Sequence, residues 1–271
     1  MKNSVTIQLA DWQQLDSKWL DDFSYHITHS WTAICCGALV GVALVGRNAF
    51  HPTNAYLKIM VAPEYRRQGI GTALFEVVRQ RIAQPLQAGV MADDQVAVAF
   101  LAKQKFHVER NCFEYELAST AIKADASLTL QAVSELKTQQ QADLQKILVS
   151  HYVGTHEQVN AVDLTLSEVD IYQVLTDQSD LCVSQFYQSG TTCCYALVET
   201  EVDLAFVTYV GYVGERRIYQ RFLETVLARL KRDYKYLCFE IDDTDEAAMC
   251  LVPLLSVATP IAYQTYIHRI K

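Results

Sequence analysis

No run in the 271 residues approaches the ~18 apolar side chains needed to cross a bilayer. The first residues, MKNSVTIQLADW, lack the apolar centre of a secretion signal, so the cytoplasm is the expected compartment. None of the eight cysteines forms a C-x-x-C, and no histidine follows one at metal-ligand spacing. This pattern excludes a zinc ribbon or a dithiol redox centre, and no metal is expected. Most cysteines sit in apolar runs such as CYALV and YLCFEI, as buried reduced thiols do. An excess of positive charge is also missing, since the net charge is −8. Residues 1–120 balance 11 Lys+Arg against 11 Asp+Glu, while residues 121–271 carry 12 against 20. An acidic second half argues against nucleic acid and anionic membrane as partners. It is compatible with an amine-bearing substrate, although a solvated acidic face accounts for the excess more simply. Two nucleotide-binding fingerprints are absent as well: there is no G-x-x-x-x-G-K-[ST], and no G-x-G-x-x-G opens a turn after a strand.

What is present is length for two domains of about 130 residues each, with 51% apolar residues to build their cores. One stretch organises the reading: Ile59 to Ile82, IMVAPEYRRQGIGTALFEVVRQRI. Leu57 to Ala62 is an apolar run that predicts a buried strand, and Pro63 stops it because proline has no N–H for a ladder. Arg66, Arg67, Gln68, Gly69, Ile70 and Gly71 form a basic, glycine-punctuated turn. Ile70, Leu74, Val78 and Ile82 then recur every fourth residue along one face of a helix. The first N–H groups of a helix have no internal partner and its dipole is positive there. Beside bare glycine backbone, such an end is suited to a phosphate.

The residues Val61, Pro63, Tyr65, Arg66, Arg67, Gly69, Gly71 and Leu74 spell V-x-P-x-Y-R-R-x-G-x-G-x-x-L. This resembles motif A of the GNAT N-acetyltransferase superfamily, whose core [R/Q]-x-x-G-x-[G/A] is met by Arg66, Gly69 and Gly71. The predicted elements continue the likeness. Val5–Leu9 reads as a strand, Trp12 to about His29 as a helix, and Thr32–Cys36 with Ala38–Val45 as a hairpin around Gly37. After the motif come a strand at Leu86–Met91 and a helix capped by Asp93 or Asp94. Two short strands, Phe106–Glu109 and Phe113–Leu117, close the unit. Ala118–Ser127 reads as a linker.

The second half repeats the first. Phe206–Leu230 lies under Lys58–Ile82 at an offset of 148, pairing Ile70 with Ile218 and Arg81 with Arg229. The stretch from Leu237 lies under that from Leu86 at an offset of 151, pairing Asp94 with Asp245. The expected fold class is therefore α/β (α+β): two tandem GNAT-like domains, residues 1–120 and 121–271, each a mixed central sheet flanked by helices. Two extra helical stretches, Ala142–His151 and Leu166–Thr176, precede the second sheet. In the second turn, Arg217 and Tyr219 stand where Gly69 and Gly71 stand in the first, so only the first cradle is expected to admit a pyrophosphate.

The resemblance implies transfer of an acetyl group from acetyl-CoA to an amine of a small molecule, peptide or protein. It places the cofactor against Met60, Val61, Arg66, Arg67, Gln68, Gly69, Ile70, Gly71 and Thr72. The backbone N–H groups of Gln68 to Thr72 would hold the pyrophosphate, and one near Met60 or Val61 would polarise the thioester carbonyl. The proton-handling residues of the family are missing. Ala55 and Leu57 stand where many members place a carboxylate, Leu101 where they place a tyrosine, and Lys105 where they place a glycine. Substitutes are His51, ahead of the motif strand, and Tyr115 on a late strand, with His26, His29 and Glu64 behind them. Two other readings stay open: an acyl-CoA-binding sensor without catalysis, and a transferase using a different acyl donor. The acceptor and the oligomeric state are not readable.

Overall fold

The computed structural model describes residues 4–125 and 127–269. In the first half the strands are β1 (Val5–Ala10), β2 (His26–Cys35), β3 (Ala38–Arg47), β4 (Ala55–Val61), β5 (Leu86–Met91) and β6 (His107–Ala118). Helices α1 (Ile70–Arg81) and α2 (Gln95–Lys103) follow β4 and β5. The second half holds β7 (Gln131–Ala132), α3 (Thr138–Asn160), α4 (Glu168–Thr176), β8 (Gln185–Ser189), β9 (Thr192–Thr200) and β10 (Leu204–Val213). It ends with α5 (Arg216–Asp233), β11 (Tyr236–Asp242), a 3-10 helix at Ala248–Leu254 and β12 (Tyr263–His268).

All the strands join one twelve-stranded sheet in the order β1-β2-β3-β4-β5-β12-β6-β11-β10-β9-β8-β7. The order is symmetric about the junction of β12 and β6. Position by position, β1 answers to β7, β4 to β10, β5 to β11 and β12 to β6. The helices obey the same relation: α1 lies under α5 and α2 under the 3-10 helix at Ala248–Leu254, at the offsets that the sequence predicts. The fold is mixed α/β, with two like halves.

The last strand of each half is exchanged. β12 lies between β5 and β6, pairing Tyr263 with Met91 on one side and with Cys112 on the other. β6 lies between β12 and β11, pairing Tyr115 with Phe239. Side chains cross with the strands. Tyr266 of β12 is buried in the first core with Leu74, Phe75, Val78 and Leu86. Tyr115 and Leu117 of β6 are buried in the second core with Phe222, Leu223 and Phe239.

Three expectations are corrected here. The closing pair Phe106–Glu109 and Phe113–Leu117 is a single strand, β6. No glycine or proline turns the chain between them, and ladders on both flanks keep it extended. The partner expected from a hairpin comes instead from the end of the chain. The helix expected from Trp12 to His29 is two 3-10 turns, Trp12–Gln14 and Ser17–Trp19, followed by β2 from His26. Its apolar residues are real core. Trp19 is buried against Ile27, Val42 and Leu44, with Leu15, Leu20 and Phe23 around it. The pairing of His26 with Arg47 and Ile27 with Gly46 satisfies the backbone that a helix would otherwise have satisfied. Finally, Ala118–Ser127 is fastened rather than loose. Ser119 N donates to Lys235 O, Ile122 is buried and bridges to Leu255, and Ser127 N donates to Thr225 Oγ1. Ala126, within that stretch, lies outside the described residues. The hairpin at Gly37 forms as its sequence predicts, with Cys36 at φ 50° and Gly37 at φ 81° completing the two-residue turn.

Because each last strand fills the other half's core, damage should cross over. Tyr266→Ala is expected to cost about 3 kcal/mol and to open the amides of β4 and β5 first in hydrogen exchange. Tyr115→Ala should first open β10 and β11. Loosening confined to the half that carries the substitution would refute the exchange.

Candidate functional site

β4 and β5 run parallel but pair only at Ala55 with Leu86 and Tyr56 with Gln87. Beyond that point they part. β4 stays with β3 as far as Gly41 and Val61, while β5 stays with β12 as far as Met91 and Tyr263. The result is a wedge open toward the turn that leads into α1. Backbone direction alternates along a strand. Ala62 N donates to Val40 O, on the β3 side, and Ala55 N donates to Pro85 O, on the β5 side. Alternation therefore aims the N–H groups of Ile59 and Val61 into the wedge, whereas that of Met60 faces β3. Of the two candidates for polarising a carbonyl, Val61 has the orientation.

The turn is held by its own side chains. Arg66 Nε donates to Val61 O at 3.0 Å, and Gln68 Nε2 donates to Glu64 O at 3.2 Å. Arg67 and Gly69 both take the left-handed conformation, at φ 62° and 87°. Gly69 is the N-cap of α1 and offers no capping oxygen, so the N–H groups of Ile70, Gly71 and Thr72 precede the first helical bond, Ala73 N to Gly69 O. A Cβ at Gly69 would meet nothing within 4 Å. The cradle is therefore bare, open and flanked by the exposed guanidinium groups of Arg66 and Arg67, neither of which forms a salt bridge among the described residues. Gly71 faces inward. A Cβ there would lie 3.3 Å from the Phe100 ring, so its bareness lets α1 and α2 approach closely. Ile70 is buried, and the Thr72 hydroxyl accepts from Gln104 Nε2 at 3.3 Å. The cradle fits a pyrophosphate in its chemistry, with bare backbone donors at a helix N-terminus and two exposed arginines in the same turn.

The positions that lack the expected acid and base are closed to solvent. Ala55, Leu57 and Leu101 are all buried in the first core. Asp94 caps α2, accepting from Val96 N and Ala97 N. Lys105 takes φ 64°, a left-handed conformation that is easiest for glycine.

The named substitutes lie away from the cradle. His51 is 6% exposed and precedes β4, at the end of that strand opposite the turn. Its Nδ1 donates to Asn160 O at 2.6 Å and its Nε2 accepts from the Tyr152 hydroxyl at 3.0 Å. Burial lowers its pKa. It belongs to a cluster that joins the halves. Tyr152 stacks on His156 at 4.0 Å, His156 Nδ1 donates to Tyr152 O, and Arg110 lies against His156 and pairs with Asp242 at 2.9 Å. Tyr115 is buried in the second core and its hydroxyl has no partner among the described residues. His26 and His29 are exposed on β2, and Glu64 is exposed in the turn.

The matching wedge of the second half is filled. Tyr219, at the place of Gly71, is fully buried, stacks on Tyr212 at 4.3 Å and donates its hydroxyl to Ala247 O at 3.1 Å. Gly211 is crowded by the Tyr195 hydroxyl and His151 Nδ1, at 2.5 and 2.6 Å from where a Cβ would stand. Tyr195 donates to His151 at 2.7 Å, and His151 Nε2 donates to Asp245 at 3.1 Å. Burial would raise Asp245, but His151 and the N–H groups of Ala247 and Ala248 outweigh it and hold the carboxyl below its usual range. Asp245 thus caps the 3-10 helix, as its register with Asp94 implies, and also locks the filled wedge. A cavity of about 380 Å³ lies elsewhere in this half, at the C-terminal end of α5, and no cradle residue borders it. Among the described residues no group of three or more His, Cys, Asp or Glu could hold a metal ion, and no helix is long and apolar enough to cross a membrane.

With this geometry in place, comparison with known proteins is informative. The model of the Acetyltransferase (GNAT) family matches residues 6–106. That stretch, most of the first half, is similar to the GNAT acetyltransferases. Among solved structures, a GCN5-related N-acetyltransferase from Sphaerobacter thermophilus aligns with 88% of this chain and 80% of its own, at 11% identity and a TM-score of 0.57. A GCN5-related N-acetyltransferase from Kribbella flavida aligns with 98% of this chain and 71% of its own, at 12% identity and a TM-score of 0.51. These likenesses concern the fold, and they extend over both halves. Among curated proteins none matches the sequence.

The histidine cluster at the seam carries a pH dependence. Burial lowers His156 to about 4 and lowers His51 as well, so both rings are neutral in the folded chain. The unfolded chain takes up these protons below a pH of about 6.5. Stability is therefore lost as pH falls from about 6.5 toward 4. Asp242, raised by burial, acts in the opposite sense, and Arg110 and Asp245 also face the cluster. The informative quantity is the difference between chains. Urea denaturation at pH 7 and pH 5 should show His156→Asn losing about 2 kcal/mol less than the unaltered chain over that interval. Equal losses would place His156 outside the linkage.

Proposed function

We propose that the chain is an N-acetyltransferase that moves the acetyl group of acetyl-CoA to an amine of a small molecule, peptide or protein. Residues 1–120 hold the donor, and residues 121–271 complete the sheet and bound the acceptor. The observation that carries this reading is the open wedge between β4 and β5 ending at the bare cradle of Gly69, set beside a second wedge that is filled. Acetyl-CoA supplies the acyl group as an activated thioester. The chain's part is to bind and orient it. The N–H groups of Gln68 to Thr72 receive the pyrophosphate, Arg66 and Arg67 neutralise it, and the Val61 N–H stabilises negative charge on the carbonyl oxygen as the amine attacks. No metal is required, and the cytoplasm is the expected place of action.

Gly69 allows a test with little structural side effect, since asparagine and aspartate both tolerate the left-handed conformation and space around the position is open. Gly69→Asp places a negative charge against the phosphates, and its isostere Gly69→Asn does not. Calorimetry should find acetyl-CoA bound at least tenfold more weakly by the aspartate variant than by the asparagine variant. Equal affinities would move the cradle elsewhere. Thiol release over a panel of primary amines then separates the readings. Tight binding without release on any amine would make the chain a sensor, and preference for a longer acyl-CoA would make it a different acyltransferase.

A further inference from the structure

β1 ends the sheet on its side, and among the described residues only β2 pairs with it. Alternation along the ladder shows which backbone groups its outer edge presents. Ala62 N donates to Val40 O, so Val40 and Val42 face β4, whereas Gly41 and Ala43 face β2. Gly41 stands opposite Ala33 and Ala43 opposite Trp31, so Thr32 and Ser30 turn instead to β1, where they meet Gln8 and Ala10. The Ser30 hydroxyl donates to Ala10 O, in keeping with that orientation. At the alternate positions, Val5, Ile7 and Leu9 point their N–H and C=O groups away from the sheet. The opposite edge is blunt, since β7 has two residues and runs straight into a 3-10 turn. Edge strands are ordinarily protected in this way, or by a charge, a proline or a bulge. β1 has six residues, VTIQLA, with no charge, no proline and no bulge against β2.

We propose that β1 pairs with β1 of a second copy of the chain, about a two-fold axis through Ile7 and perpendicular to the sheet. The strand is self-complementary about that residue. In antiparallel register Ile7 meets Ile7 of the second copy, Val5 meets Leu9, and Thr6 meets Gln8. The residues whose backbone faces outward are then opposite one another, so every outward N–H and C=O from Val5 to Leu9 gains a partner. A shift of two residues in either direction would leave some of them unpaired. The side chains agree with the same register. Val5 and Ile7 pack against the first core, on the face that carries α1. Leu9 follows on that face by alternation, yet it is 68% exposed. The pairing covers it with Val5 of the second copy. Thr6 and Gln8, both exposed, meet on the opposite face. Charge favours contact through this half, because residues 1–120 are neutral while residues 121–271 carry the whole net charge of −8. The contact is isologous and closes at two copies, since each edge is used up by the other. It stands independently of the acyl-transfer reading above.

Sedimentation equilibrium of the unaltered chain gives the first test. A strand pair is smaller than a standard interface of ~1,600 Å², so the dimer is expected to be reversible, its mass rising from one chain to two between about 1 and 500 µM. A single-chain mass throughout would overturn the proposal. Leu9→Lys sets a charge against Val5 of the second copy, at a position exposed enough to leave the fold alone. It should weaken the dimer by about tenfold or more. Val202→Lys, on an almost wholly exposed residue of the second half, should leave the dimer unchanged. A dimer that persists in Leu9→Lys, or weakens equally in both variants, would place the contact elsewhere. Residue-resolved hydrogen exchange by NMR needs no substitution. Raising the concentration should slow exchange at Val5, Ile7 and Leu9 and leave Thr6, Gln8 and Ala10, already bonded to β2, as they were. Unchanged exchange at Val5, Ile7 and Leu9 in a chain that dimerises would rule out the strand pairing.

Discussion

Sheet edges demand partners, and in this chain that demand is met across the two halves. β5 without a neighbour would present unpaired N–H and C=O groups over a buried core, and so would β11. Each receives the other half's last strand. The ladder β5-β12-β6-β11 carries the consequences. It makes one sheet of two units, exchanges Tyr266 for Tyr115 between the cores and brings residues about 170 positions apart onto one surface. The seam is reinforced by polar contacts that require both halves, such as His51 with Tyr152 and Asn160.

The same symmetry yields two wedges, and side-chain volume decides their fate. In the first, glycine at positions 69 and 71 leaves the helix N-terminus bare and lets α2 close behind it. In the second, Tyr219 occupies the space, Tyr212 lies flat against it, and the Tyr195–His151–Asp245 chain fills what remains. A fully buried tyrosine with its hydroxyl satisfied stabilises that half. The second wedge is packed with side chains, and the first stays open.

The parts of the fold that were legible in the sequence rest on local physics. Pro63 ends a strand, Gly69 permits a left-handed cap, Ile70, Leu74 and Val78 repeat at helical spacing, and Asp94 and Asp245 cap in register. The cradle could be read from these alone. The segment from Trp12 to His29 could not, because its apolar spacing suits both a helix and a folded loop over a sheet, and the pairing of β2 with β3 settles the matter. His51 and Tyr115 illustrate the limit for chemistry. Residue type marks them as able to move protons, but burial and hydrogen bonds to distant residues decide whether they can.

The sequence by itself determined that a strand, a turn and a helix occur twice, and that only the first copy has glycines, Gly69 and Gly71, where the helix begins. Those are properties of neighbouring residues, fixed by backbone freedom and periodicity. The tertiary structure alone decided which strand closes which half, and therefore that Tyr263 lies over Gly89. No local pattern records that contact, since the hydrogen bonds that create it join the end of the chain to a strand formed long before it.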